Sequence, residues 1–204
     1  MDNVSISDLK EIFPIKILAS HDSNFNDYRD DLISWMEEYS RNNQSTSKSN
    51  VGGYQSPDNF HFDKDSGEIR EDFKPYYFRI QKQIEKMTEV YFEDSDVTSI
   101  SFSNIWFNFN FKNCYNNIHV HPRSALSGVL WVKVIEEHPP ITFHDPNQFN
   151  QVELGFKTFE AFYPKDGDML IFPAFLQHGV NVNRTDVTRM SIAFNLTTNA
   201  DSYD

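Results

Sequence analysis

The segment that decides the fold reads Ile105-Trp106-Phe107-Asn108-Phe109-Asn110-Phe111. Its polar residues, Asn108 and Asn110, alternate with phenylalanines, and alternating residues point to opposite faces of a β-strand. The segment therefore predicts a strand that has one face in an apolar core. Its other face is expected to look into a polar cavity.

Further elements are predicted on both sides of this strand. Towards the C-terminus, β-rich segments bounded by turn residues lie at 126–134, 141–143, 156–163, 169–173 and 189–196. Towards the N-terminus, a β-rich stretch at 12–18 precedes two amphipathic helices, one around residues 28–39 and a second that begins near Pro75. This order favours a single α+β, mainly β domain over 1–204, in which a helical and extended part (about 1–97) braces a strand core (about 98–198).

The composition argues against several classes of protein. The 204 residues carry a net charge of −12, and phosphate backbones are bound through Lys and Arg, so nucleic acid is not an expected partner. No apolar stretch reaches the length of about 18 residues that a membrane span needs. Cys114 is the only cysteine, which excludes an internal disulfide and favours a reducing, cytoplasmic setting. The acidic surface suits protein–protein contacts, and a homodimer is left open.

Two histidines stand in the segment His119-Val120-His121-Pro122, where a strand would give way to a loop. Residues two apart on a strand share a face, and imidazole is a common ligand of iron, zinc and copper. His178 follows the strand at 169–173 after a short connection, from which it could reach the same site. The three histidines are therefore predicted to hold a metal ion.

The remaining histidines are weaker candidates. Surface positions are expected for His21 and His61, and a loop position for His138. His144 adjoins Asp145, whose carboxylate could complete a site of two histidines and one carboxylate. The alternative, an Asp-Pro turn, is the favoured interpretation.

A candidate anion site lies on the last predicted strand. Arg189 and Ser191 share one face of it, and Ala193 on the same face leaves room for a ligand. A guanidinium can hold a carboxylate with two parallel hydrogen bonds, and a nearby hydroxyl can add a third. Together with the histidines, this pair predicts a metal site beside a site for an anionic co-substrate.

Several blocks of the sequence resemble the 2-oxoglutarate–Fe(II) oxygenases. The densest block reads His119-Val120-His121-Pro122-Arg123-Ser124-Ala125-Leu126-Ser127-Gly128-Val129-Leu130-Trp131-Val132. The other blocks are 12–15, 52–56, 143–146, 167–178 and 189–195. The resemblance covers most of the chain and lies with the His-x-His-Pro subgroup of that superfamily. It implies the superfamily's fold, a double-stranded β-helix or jelly-roll barrel.

The resemblance also implies roles for the site residues. His119 corresponds to the first metal ligand and His178 to the distal one, while Arg189 and Ser191 would bind the distal carboxylate of 2-oxoglutarate. His121 stands where the broader superfamily has Asp or Glu, which leaves either three histidine ligands or two with water or another residue in the third place. The implied cofactors are Fe(II) and 2-oxoglutarate, which with dioxygen would oxidise a C–H bond of an unidentified substrate, by hydroxylation, and release succinate and CO₂.

Two other functions stay open at this point. One is a cupin-like metal protein that uses the histidines without 2-oxoglutarate, and the other is a non-catalytic binding or structural module on the same barrel. The substrate is open as well, among free amino acids, peptidyl side chains and small metabolites. Trp106, Asn108, Asn110 and Trp131 are candidates for lining the pocket, and residues 42–56 for a lid over it.

Overall fold

The computed structural model describes residues 14–147, 153, 155 and 157–199. Within these residues a short 3₁₀ turn, Phe25–Asp27, precedes helix α1, Arg29–Asn42, and helix α2 is Lys74–Tyr91. The strands are β1 Leu18–His21, β2 Asn50–Val51, β3 Tyr54–Gln55, β4 Ile100–Asn110, β5 Tyr115–His119, β6 Leu126–Lys133, β7 Ile141–His144, β8 Phe159–Phe162, β9 Asp168–Pro173, β10 His178–Val180 and β11 Arg189–Thr198.

These strands form two antiparallel sheets. The larger sheet has the order β1-β9-β6-β11-β4-β3, and the smaller has the order β2-β5-β10-β7-β8. An apolar cluster joins them, because Trp131 and Phe172 of the larger sheet pack with Ile141 and Phe143 of the smaller. Two sheets packed face to face around such a core are the predicted jelly roll.

The two helices cover the outer face of the larger sheet, as predicted. Leu32 and Met36 of α1 and Ile80 of α2 are buried in the same cluster as Phe107 of β4 and Phe194 of β11. These helix residues recur three to four positions apart, which places them on one side of each helix. The packing fixes which face of β4 and β11 is left to point between the sheets.

The segment 50–55 belongs to both sheets. Its first strand, β2, pairs with β5, and its second, β3, pairs with β4. The side chain of Asn50 also donates from Nδ2 to the backbone oxygen of Tyr54, 3.0 Å away. This segment, predicted as part of a lid, is therefore a hydrogen-bonded link between the sheet edges.

The strand predictions at 105–111, 126–134, 141–143, 169–173 and 189–196 are confirmed with shifted ends, and the one at 156–163 is confirmed at 159–162, while residue 156 lies outside the described residues. The strand prediction at 12–18 is wrong for residues 14–17, which belong to no strand, while residues 12 and 13 lie outside the described residues and the first described strand is Leu18–His21. The strands β2, β3 and β10 were not predicted, and β5 was predicted only by its end at the histidine pair. Within the described part of the chain, no helix is both long and apolar enough to span a membrane.

The expected surface position of His61 is wrong. Its side chain is 3% exposed, stacks on Tyr77 at 5.8 Å between ring centroids and contacts the ring of Phe60. Burial lowers the pKa of His61 to about 4. The polar sequence around residue 61 gives no sign of this burial, because the ring of Tyr77 that stacks on His61 belongs to α2.

Gly128 is expected to be intolerant of any side chain. A Cβ atom at this position of β6 would stand 2.2 Å from Cζ of Phe194 and 2.8 Å from the backbone oxygen of Leu170. Gly128→Ala should lower the free energy of unfolding by about 1–3 kcal/mol, the usual range for overpacking. Urea denaturation measures the loss, and the double variant Gly128→Ala/Phe194→Leu should recover part of it. Equal losses in the single and double variants would contradict this account.

The pKa of His61 predicts a contribution to acid sensitivity. The unfolded chain binds a proton at residue 61 near pH 6.5 and the folded chain only near pH 4, so protonation favours unfolding as the pH falls through this window. His61→Gln should reduce the stability lost between pH 7 and pH 5 by on the order of 1 kcal/mol. Urea denaturation at both pH values measures this. A variant that loses as much stability as the parent would refute it.

Candidate metal and anion site

Two strands of the smaller sheet bring the predicted histidines together. His178 begins β10 and lies directly opposite His119, the last residue of β5. His121 lies two residues beyond β5, and its backbone N–H donates to the oxygen of Ala174 at 2.9 Å. The pairing of β5 with β10 therefore places two imidazoles side by side, and the loop after β5 adds the third.

The three imidazoles form one compact group. One ligand nitrogen from each of His119, His121 and His178 lies within 4.8 Å of the others. The ring centroids of His119 and His178 are 4.4 Å apart, and those of His121 and His178 are 5.1 Å apart. Nitrogens at such distances can converge on a single metal ion after small movements of the rings.

Backbone carbonyls set the orientation of two rings. Nδ1 of His119 donates to the oxygen of Asn117 at 2.7 Å, and Nδ1 of His178 donates to the oxygen of Leu176 at 2.9 Å. A protonated Nδ1 leaves the lone pair on Nε2, which is the arrangement that metal-binding histidines commonly have.

His121 is held by a side chain. Its Nδ1 lies 3.4 Å from Nδ2 of Asn195, whose Oδ1 accepts a hydrogen bond from the hydroxyl of Ser127 at 2.7 Å. Its Nε2 lies 3.3 Å from Nε2 of His178. Metal binding through Nε2 of His121 needs the opposite orientation of the Asn195 amide, which Ser127 permits because a hydroxyl accepts as well as donates.

The histidines are neutral at physiological pH. Burial lowers the pKa of all three, to about 3 for His121 and about 4 for His178. The nearby imidazoles, which repel each other when charged, lower the values of His121 and His178 further. Neutral imidazoles keep their lone pairs free for a metal ion.

Arg189 points between the sheets without an acidic partner. Its side chain is buried, its Nε has no hydrogen-bond partner, and within the described residues it forms no ion pair. Within the described part of the chain, the one hydrogen bond of the guanidinium is a long one, 3.5 Å from Nη1 to Oδ1 of Asn110. Burial lowers the pKa of Arg189 to about 10, so the group stays charged at neutral pH. An uncompensated buried charge is costly, and an anionic ligand would offset that cost.

One cavity joins the two parts of the site. The three histidines line it together with Arg189, Ser191 and Ala193 of β11, and Trp106 and Asn108 of β4 line the same space. We call it the inner cavity. Its volume is about 50 Å³, so a ligand larger than one or two water molecules must move the lining side chains apart.

Four carboxamides form the wall beside the inner cavity. Nδ2 of Asn110 donates to Oδ1 of Asn116 at 3.0 Å and to Oδ1 of Asn50 at 3.4 Å, and Nδ2 of Asn50 reaches Oδ1 of Asn108 at 3.3 Å. This network links β2, β4 and β5 next to Arg189. The alternation in β4 indicated Asn108 and Asn110, but no sequence signal indicated Asn50 or Asn116.

The other candidate residues have different places. Trp131 is fully buried in the apolar core between the sheets, stacks on Phe162 and is not among the residues that line the inner cavity. Oδ1 of Asp145 accepts the backbone N–H of Asn147 at 2.7 Å, as the turn interpretation predicted. Among the described residues, the group suited to a metal consists of the three histidines and does not include Asp145.

Residues 104–195 match a family model described as "Putative 2OG-Fe(II) oxygenase". No curated protein sequence matches the chain. Among solved structures, HygX from Streptomyces hygroscopicus, with nickel and 2-oxoglutarate bound, has a TM-score of 0.60 at 12% identity over 91% of this chain and 84% of its own.

Two further structures share the fold. A prolyl-4-hydroxylase from Pseudomonas putida has a TM-score of 0.58 at 12% identity, over 88% of this chain and 92% of its own. The non-heme α-ketoglutarate dependent epimerase SnoN from nogalamycin biosynthesis has a TM-score of 0.66 at 12% identity, over 90% of this chain and 76% of its own. At these identities the likeness concerns the fold. The family match covers residues 104–195, somewhat less than half of the chain, and shows that the strand region is similar to the 2-oxoglutarate–Fe(II) oxygenases.

Proposed function

We propose that the chain is an Fe(II)- and 2-oxoglutarate-dependent dioxygenase that hydroxylates a substrate still to be identified. His119, His121 and His178 would hold the iron, and Arg189 with Ser191 would hold the distal carboxylate of 2-oxoglutarate. The observation that carries the proposal is the buried charge of Arg189, which has no acidic partner among the described residues and shares a cavity with three neutral imidazoles.

The donor set fits Fe(II). Imidazole nitrogen suits iron, and three neutral ligands leave the full charge of the ion uncompensated. A dianion that chelates the metal at one end and reaches Arg189 at the other would offset both buried charges. Bound iron would couple the oxidative decarboxylation of 2-oxoglutarate, giving succinate and CO₂, to the insertion of one oxygen atom of O₂ into a C–H bond.

The chain's own residues orient the ligands and limit water. The carbonyls of Asn117 and Leu176 fix the rings of His119 and His178, so the ligand lone pairs are oriented before the metal binds. Phe172 and Val129, which pack in the apolar core, line the inner cavity on the side of β6 and β9. Such walls keep bulk water from an oxidising centre.

The buried guanidinium also separates this proposal from its alternatives. A cupin-like protein that binds only a metal gives the unpaired Arg189 in the same cavity no ligand. A non-catalytic module gives neither Arg189 nor the three histidines a ligand. Both would bear the cost of burying Arg189 without a ligand that offsets it.

Arg189→Met is expected to separate 2-oxoglutarate binding from metal binding. The variant keeps the bulk of the side chain and loses its charge-assisted hydrogen bonds, so the affinity for 2-oxoglutarate should fall by about 10- to 100-fold while Fe(II) still binds. Anaerobic titration, followed by the metal-to-ligand charge-transfer band, measures it. Arg184→Met, an exposed arginine before β11, is the control. Unchanged affinity in Arg189→Met would remove the proposed anion site.

The third ligand position can be tested at His121. His121→Ala should weaken metal binding by about tenfold or more, and His121→Asp should recover most of the loss because a carboxylate is also an iron ligand. Fe(II) and Ni(II) titrations measure both variants. His144→Ala is the control, since His144 lies outside the three-histidine group. Full metal affinity in His121→Ala would mean that His121 is not a ligand.

A further inference from the structure

A second and larger cavity lies against the same histidines. Its volume is about 390 Å³, and it shares Ser49, Trp106, His119 and His121 with the inner cavity. Arg189 lines only the inner cavity. We call the larger space the outer cleft. With 2-oxoglutarate held towards Arg189, the outer cleft is the space left next to the metal for the molecule to be oxidised.

The outer cleft is polar and carries no acidic lining residue within the described chain, although the chain as a whole has a net charge of −12. Its lining residues besides the shared ones are Lys48, Gln55, Asn104, Asn117, Val120 and Asn195. Carboxamides both donate and accept hydrogen bonds, and a lysine attracts anions. This lining suits a small, hydrogen-bonding molecule that is neutral or negatively charged.

Gln55 presents an unused acceptor. The residue is 1% exposed, and its Oε1 is buried without a hydrogen-bond partner. Its backbone is satisfied, because its N–H donates to the hydroxyl of Ser45 at 3.0 Å and its oxygen accepts the N–H of Thr46 at 2.8 Å. A buried acceptor without a donor is costly, and an N–H or O–H of a ligand in the outer cleft would satisfy it.

Lys48 brings an ammonium group to the same cleft, where Asp58 pairs with it. Its Nζ donates to Oδ2 of Asp58, which also accepts from Nδ2 of Asn104 at 3.4 Å. The side chain of Lys48 is half exposed. An ammonium has three N–H donors, so this pairing fixes the position of Nζ and leaves donors for an anionic group of a ligand.

We propose that the outer cleft binds a small polar acid, an amino acid or hydroxy acid in chemical class, as the substrate. Gln55 accepts a hydrogen bond from its N–H or O–H group, and Lys48 binds its carboxylate. These two residues determine specificity, whereas the histidines and Arg189 serve the cofactors. The inference rests on the proposed function, because it takes the metal and 2-oxoglutarate to fill the inner cavity.

Binding can be measured without turnover. The full chain is loaded with Zn(II), which is diamagnetic and does not react with dioxygen, and with 2-oxoglutarate. The twenty common amino acids, their primary amides, and lactate and malate are then screened by saturation-transfer NMR, and dissociation constants are measured by calorimetry. At least one acid should bind, and its amide should bind at least about fivefold more weakly because it lacks the carboxylate.

Two variants test the named residues. Lys48→Met should remove the preference for the acid over its amide, and Gln55→Met should weaken both by about tenfold. Lys112→Met is the matched control for Lys48, since Lys112 also pairs with an aspartate and has the same 52% side-chain exposure but lies outside both cavities. Thermal melting checks that each variant is folded, and Gln55→Met keeps the backbone hydrogen bonds of β3.

The outcomes separate the two proposals. If Zn(II) and 2-oxoglutarate bind and no acid binds, the substrate class is wrong and the proposed function stands. If acids and amides bind equally, or Lys48→Met behaves as Lys112→Met does, the role of Lys48 is wrong. If Gln55→Met binds as the parent does, the role of Gln55 is wrong. If Fe(II) with 2-oxoglutarate gives no charge-transfer band, the proposed function itself fails.

Discussion

The antiparallel pairing of β11 with β4 on one side and β6 on the other is the constraint on which the structure depends. Alternation along β11 sends Met190, Ile192 and Phe194 towards the helices, and Arg189, Ser191 and Ala193 to the space between the sheets. A shift of one residue in this register would turn the apolar set to the space between the sheets and bury the polar set against the helices. The helix-facing contacts therefore hold Arg189, Ser191 and Ala193 in place, although none of the helix-facing side chains lines the inner cavity.

The arrangement of the three histidines depends on a short and irregular strand. β10 has three residues, and its register with β5 changes between His178 and Val180. Its place is secured from both sides, since β7 pairs with it along its whole length. The candidate metal ligands thus belong to the smaller sheet and the loop that follows β5, and the candidate anion site belongs to the larger sheet. The apolar core between the sheets sets the span from the histidines to Arg189.

The sequence predicted helices that brace a strand core and most of the long strands, because the apolar patterns of helices and strands are local. It could not predict β2 and β3, which have two residues each, or where β5 begins, because Tyr-Asn-Asn-Ile-His lacks an apolar period. The three histidines and Arg189 were correctly picked out as residues that come together, but their ligand roles stay predictions. The burial of Arg189 and the contact of Asn50 with Asn110 arise between residues far apart in the chain, where no periodicity operates. The same reason explains the error at His61.

The link formed by residues 50–55 has an evolutionary consequence. Ser49, which directly precedes this link, lines both the inner cavity and the outer cleft, and Gln55 at its end lines the outer cleft, although neither residue belongs to the three-histidine group. Its strand pairing runs through main-chain atoms, and its course depends on Gly52, which has a φ of +78°, and on Gly53, where a Cβ would stand 2.1 Å from the backbone oxygen of Phe109. New side chains at positions 49 and 55 can therefore change the lining of these spaces while the glycines keep the course of the chain.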